Sequence, residues 1–124
     1  YDDVVADVAR ELSASAQRAT AAGLEREEIV LDPGFGFGKT LGHNLKLLRH
    51  LPDTTVSGLP ILAGLSRKSM LGGITGRSVE ERLPASLAAA VIALAGGARI
   101  LRVHDVAATR DALAVWSAVR NAVK

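Results

Sequence analysis

The chain has no cysteine, one tryptophan, one tyrosine and two phenylalanines among its 124 residues. Without cysteine there is no disulfide, no thiolate nucleophile and no thiolate metal site. Aromatics are too few to interleave with basic residues along a nucleic-acid stripe. The 15 lysines and arginines are scattered against 13 acids, for a net charge of only +2, where nucleic-acid binding calls for a clustered basic face. Long apolar runs are also missing. The longest, LAAAVIALA from Leu87 to Ala95, falls well short of the ~20 residues a helix needs to cross a bilayer. No signal peptide is evident, so a cytoplasmic location is the expectation. The first residue is Tyr1 rather than Met, which reads as a trimmed or excerpted polypeptide.

What is present is a rhythm. Apolar residues at 48% and charged residues at 23% suit one globular domain with a modest core. Residues 2–22 carry Val4, Val5, Val8 and Leu12 at helical spacing, with Gly23 as a stop. IVLDPG at 29–34 reads as a strand, and HNLKLLRHL at 43–51 as a short helix with His43 or Asn44 near its start. A loop through Pro52 and Gly58 leads to PILAGLS at 60–66, a second strand. Residues 78–97 predict a long helix ending at Gly96 and Gly97, 99–105 (RILRVHD) a third strand, and 106–123 a terminal amphipathic helix.

The order α-β-α-β-α-β-α implies parallel strands joined by right-handed crossovers. Three such strands fit a small open sheet, or a slice of a larger doubly wound sheet or (β/α)8 barrel. Their near-continuous apolar character predicts cover on both faces. The alanine-rich stretch 85–95 is apolar almost all round, which predicts burial on two sides and a contact beyond this chain.

Each predicted strand ends in polar residues. Residues two apart share a strand face, so Val30 pairs with Asp32, Gly64 with Ser66 and Lys68, and Ile100 with Arg102 and His104. Parallel α/β folds bind ligands at the C-terminal strand ends. Asp32, Lys39, Ser66, Lys68, Arg102 and His104 could therefore converge on one mouth. Each has a plainer reading: Asp32 as a turn cap, Lys68 as a solvated loop lysine, His104 and Asp105 as a structural pair, Arg67 as a surface or supporting charge, His43 and His50 as surface or cap residues. Arg102, placed among Ile100, Leu101 and Val103, is harder to set aside, because a charge inside an apolar strand demands a partner. Three strand ends together favour a site.

The segment LDPGFGFGKT at 31–40 resembles a phosphate-binding loop only superficially. That motif needs G-x-x-x-x-G-K-[ST]; its first glycine would stand at position 33, which is Pro33. The dinucleotide pattern fails too, because the glycines are spaced by two. What remains is a glycine loop that lets backbone approach a flat ligand, with Phe35 and Phe37 to stack on it or wall a pocket. An ionised Asp32 accepts two parallel N–H bonds, which suits an amino-pyrimidinone edge better than a phosphate.

DPGFGFGK at 32–39, SRKS at 66–69 and RVHD at 102–105 together resemble the three C-terminal signatures of the dihydropteroate synthase family, in order and at similar separations over essentially the whole chain. That family has a (β/α)8 TIM-barrel fold and joins 6-hydroxymethyl-7,8-dihydropterin pyrophosphate to p-aminobenzoate, releasing pyrophosphate, in folate synthesis; sulfonamides compete with p-aminobenzoate. The resemblance implies that residues 1–124 are the C-terminal portion of such a pterin-binding barrel, about three βα units preceded by a helix. It implies that Asp32, Gly36 and Lys68 hold the pterin; that Phe37, Ser66 and Lys68 form the p-aminobenzoate pocket; and that Arg102, Val103 and His104 bind the pyrophosphate, with Lys68, Arg102 and His104 as the catalytic set. It also implies Mg2+, whose family ligand, an asparagine, lies in an N-terminal half with no counterpart here, and a homodimer in the complete enzyme. Inactivity of this chain alone is a further expectation. Two rivals stand beside it: another pterin-binding barrel of the methyltransferase type, which needs no pyrophosphate sink, and a half-barrel fragment without turnover.

Overall fold

The computed structural model describes residues 1–55 and 58–123. The predicted loop between Pro52 and Gly58 lies partly outside them, at positions 56 and 57. Helix α1 (Val4–Ala21) starts where the Asp3 carboxylate accepts the Ala6 N–H, and it buries Val4, Val8, Leu12 and Ala16 in one stripe. Helix α2 (Leu41–Arg49) starts two residues earlier than its apolar pattern predicts. Thr40 caps it: its hydroxyl accepts the His43 N–H at 3.1 Å while His43 Nδ1 accepts the Thr40 N–H at 3.2 Å, so His43 is a capping residue.

Strands β1 (Ile61–Ala63) and β2 (Ala98–Leu101) pair in parallel. The predicted first strand is a correction: among the described residues it survives as a single parallel bridge, Leu31 to Ile61, with Leu31 N–H on Pro60 O and Leu62 N–H on Leu31 O. The ladder stops there because Pro33 has no N–H to give and Gly34 donates to the Asp32 side chain instead, at 2.9 Å. Three strands are thus two strands and a bridge in an α/β fold rich in helix.

Two further corrections follow. Residues 69–75, left unassigned by the apolar pattern, form helix α3 (Ser69–Thr75), closed by Gly76 at φ 72°. The predicted 78–97 helix is a 3₁₀ turn (Val79–Glu81) followed by helix α4 (Leu83–Ala95), which Pro84 helps to start. Helix α5 (Val106–Arg120) closes the chain against α4. Its buried residue is Thr109, with Ala112, Leu113 and Trp116 half-buried beside it at helical spacing, while Val115 and Val119 are exposed, so the predicted amphipathic face is partly covered.

The core runs from the α1 stripe through Ile29, Leu31, Phe35, Leu47, Leu51, Ile61 and Ala63 to Ala93 and Ala98. Only one face of the strand layer is covered: Val30 and Ile100 are exposed, contrary to the expectation of cover on both. Ser86, Ala89, Ala90 and Ala93 of α4 are buried while Ile92 on its other side is exposed. Phe35 is also a correction: it is fully buried at 0% exposure, a core residue rather than a pocket wall, whereas Phe37 is 67% exposed.

Phe35→Ala is therefore expected to cost about 3–5 kcal/mol through the cavity it leaves, and Phe37→Ala no more than about 0.5 kcal/mol as an exposed change. Urea unfolding of both variants checks this, and equal losses would contradict the division between the two rings.

Candidate functional site

Parity along the first and third segments delivers their polar groups to one side. Val30 and Asp32 are exposed while Ile29 and Leu31 are buried, and Ile100, Arg102 and His104 share the exposed side of the third segment. Strand β2 ends at Leu101, so Arg102 lies just beyond it rather than inside it, with its side chain 60% exposed. Its backbone continues the ladder, Arg102 N–H to Ala63 O at 3.1 Å. The partner its charge demands is Asp32: Arg102 Nη2 stands 4.0 Å from the Asp32 carboxylate.

Glycine 64 makes that approach possible. A Cβ there would stand 2.7 Å from Arg102 Nη2 and 3.3 Å from Cζ and Nε, so a side chain at 64 would make the guanidinium shift from its place against this backbone. Ser66 is buried, and its hydroxyl meets both His104 N–H at 3.2 Å and His104 Nδ1 at 2.9 Å. Gly64, Ser66, Lys68, Arg102, Val103 and His104 line a cavity of about 430 Å3. A separate groove of about 270 Å3 between α2, α3 and α4, lined by residues such as Leu45, Met70, Ile74 and Ile92, has no charged group and stands apart from this chemistry.

The glycine loop is the reverse of a phosphate cradle. Gly34, Gly36 and Gly38 all have positive φ, 75°, 83° and 61°, and the loop turns carbonyls toward cations. Lys39 Nζ donates to Gly34 O at 2.9 Å and Phe37 O at 3.1 Å; Lys68 Nζ donates to Phe35 O at 2.5 Å. Lys68 Nζ also lies 5.0 Å from the Phe37 ring centroid, and its aliphatic stem passes 3.4 Å from where a Cβ on Gly36 would be. Burial, then the nearby Arg102 charge, pushes the Lys68 ammonium below the usual lysine range, with Asp32 opposing. Burial likewise lowers Lys39, against the pull of Glu11 and Asp32.

All the sequence-predicted site residues thus gather at one end of the strand layer. Asn44 was missed. It is buried, its Oδ1 accepts the Gly36 N–H at 2.9 Å and its Nδ2 donates to Thr40 O at 3.0 Å, so it pins the loop's middle glycine. The available signal was a polar residue three and four places before Leu47 and Leu48, on the buried face of α2.

Residues 1–104 match the pterin binding enzyme family, and the chain belongs to that family. A dihydropteroate synthase of Neisseria meningitidis serogroup C is 54% identical over 121 residues, 96% of this chain and 43% of its own length. A Mycobacterium bovis relative named inactive dihydropteroate synthase 2 is 44% identical over 118 residues, 95% of this chain and 37% of its own length. Among solved structures, Xanthomonas albilineans dihydropteroate synthase with 4-aminobenzoic acid superposes with a TM-score of 0.97 at 51% identity, covering 99% of this chain and 45% of that one. The chain therefore spans less than half the length of these relatives.

Removing a like charge favours protonation, so Arg102→Ala is expected to raise the pKa of Lys68 toward the ordinary lysine value. NMR titration of the lysine side chains checks this; an unmoved or lowered Lys68 would show that the two cations do not share a field.

Proposed function

We propose that this chain is the C-terminal part of a (β/α)8 barrel with dihydropteroate synthase activity, in which a complete enzyme joins 6-hydroxymethyl-7,8-dihydropterin pyrophosphate to p-aminobenzoate, giving 7,8-dihydropteroate and pyrophosphate. The carrying observation is the pairing of an anion and a planar cation, Asp32 and Arg102, 4.0 Å apart beside a cavity floored by Ser66, Lys68 and His104. The relatives' names and the bound 4-aminobenzoic acid of a structural neighbour support the substrate pair.

In this reading the amine lone pair of p-aminobenzoate forms a C–N bond to the pterin methylene. The C–O bond to pyrophosphate breaks, its electron pair leaves with the pyrophosphate, and the anilinium proton passes to solvent. Positive charge gathers on the pterin and negative charge on the leaving group. Asp32 accepts the pterin's amino and ring N–H and faces the first; Arg102, whose guanidinium fork fits phosphate oxygens, faces the second together with His104 and the Val103 backbone. Groups fixed before reaction need no reorganisation as charge separates. Gly36 lets the loop backbone approach the pterin, Lys68 bridges the two substrates, and Phe37 and Ser66 line the p-aminobenzoate side.

Mg2+ would help to neutralise pyrophosphate, but the residues present do not fit a magnesium site by themselves. Among the described residues no group of three or more His, Asp or Glu could hold a metal, and the Asp32 carboxylate is shared between Gly34 N–H and Arg102. A homodimer and a cytoplasmic location belong to the same reading. The exposed Leu45, Ile74 and Ile92 supply an apolar face for self-association, and no helix among the described residues is long and apolar enough to cross a membrane.

One observation favours a second reading, pterin binding without turnover: the 44% identical relative named inactive. A coupled pyrophosphate-release assay on the full-length polypeptide and on this chain alone separates the two. Release is expected from the full-length polypeptide and little from the chain alone; failure of the full-length polypeptide would favour the second reading.

Arg102→Ala and Asp32→Asn are expected to fail differently in the full-length polypeptide. Arg102→Ala should weaken pyrophosphate tenfold or more and leave a phosphate-free pterin almost unaffected. Asp32→Asn sets an amide donor against the pterin's own N–H groups and should weaken that pterin tenfold or more, since hydrogen bonds to charged groups are worth ~1.5–3 kcal/mol. Calorimetric titration of each variant with each ligand is the check; normal pterin binding by Asp32→Asn, or normal pyrophosphate binding by Arg102→Ala, removes the assigned role.

A further inference from the structure

Arg67 is the one non-glycine among the described residues with positive φ, at 57°, a conformation that an unbranched L-residue adopts only under constraint. Its constraints are all visible. Its N–H donates to the buried Ser86 hydroxyl at 2.9 Å, and its carbonyl accepts from Arg82 Nη1 at 2.9 Å. Its guanidinium grips the Asp105 carboxylate in a fork, Nη2 at 2.7 Å and Nε at 3.2 Å. This is the bidentate geometry that makes arginine–carboxylate pairs specific, and it holds the Asp105 carboxyl below the usual carboxylate range.

The neighbours of Arg67 point the other way. Ser66 bonds to His104, and Lys68 to the glycine loop through Phe35 O. Two links therefore cross between the loop after β1 and the loop after β2, Ser66 to His104 beside the cavity and Arg67 to Asp105 outside it. A turn alone would be served by glycine without strain; the arginine side chain adds the second link.

We propose that Arg67 is a positioning residue: its left-handed backbone presents Ser66 and Lys68 to the cavity, and its fork on Asp105 locks that turn to the segment carrying Arg102 and His104. Its consequence for ligands rests on the functional reading above; the clamp itself does not.

The test uses the full-length polypeptide with wild-type residues, Arg67→Asn (which tolerates the left-handed backbone but lacks the fork), the near-isosteric Asp105→Asn, and the double variant. Hydrogen–deuterium exchange of residues 65–69 is expected to quicken about three- to five-fold in each single variant, the range of a good exposed ion pair. The double variant should be no faster than either single one, the mark of one shared interaction. Wild-type exchange in either single variant, or additive effects in the double, overturns the clamp. In turnover, both single variants should raise the KM for p-aminobenzoate several-fold with kcat changed less than two-fold; an unchanged KM in an active enzyme overturns its link to the pocket. If the wild type does not turn over, the functional reading falls and the exchange data still decide the clamp.

Discussion

The arrangement of the site turns on opposite charges, Asp32 and Arg102, kept close without being fused. At 4.0 Å, with both side chains partly exposed, the pair is weakly bound, since solvent screens such contacts to at most about 1 kcal/mol. Backbone does the holding. Asp32 is steadied by the Gly34 N–H, Arg102 is carried by the ladder bond to Ala63 O, and Gly64 leaves the space the guanidinium occupies. A weak pair on a firm frame can surrender each partner to a ligand of opposite sign at small cost, which a buried, tightly paired bridge could not.

The supports are layered behind that pair. Asn44 on α2 fixes the glycine loop, and Ser86 and Arg82 around the start of α4 fix the turn at Arg67. Lys39 and Lys68 satisfy three of the loop's carbonyls, so side chains tie down a segment with little regular structure.

Much of the site was legible because alternation is a two-residue rule that survives even where a strand does not: residues 29–32 make only one bridge, yet Val30 and Asp32 still face the open side. Asp32, Arg102 and His104 came together as their parity and strand-end positions implied, whereas Ser66 and Lys68 lie beyond β1 and are placed by the left-handed turn at Arg67. The misses have two causes: the capping box of Thr40 with His43 and the short helix closed by Gly76 are local signals outside the apolar pattern, whereas the burial of Phe35 and the turn at Arg67 depend on partners distant in sequence. Nothing local says that Phe35 is core and Phe37 is not. The left-handed turn at Arg67 is set by Ser86, Arg82 and Asp105, residues 15 to 38 positions away in sequence. The expectation of cover on both strand faces read the composition correctly, but Val30 and Ile100 are exposed in this chain.

The alternating glycines at 34, 36 and 38 also decide where this loop can vary. Their positive φ angles exclude ordinary side chains at every second position. Of the two residues between them, Phe35 belongs to the core, where a change of volume is felt by the whole fold. Phe37 is left as the loop position whose side chain meets solvent, and its carbonyl serves Lys39 whatever ring or chain it carries. A change of side chain in this loop can thus be written at residue 37 almost without structural penalty, and at its four neighbours hardly at all.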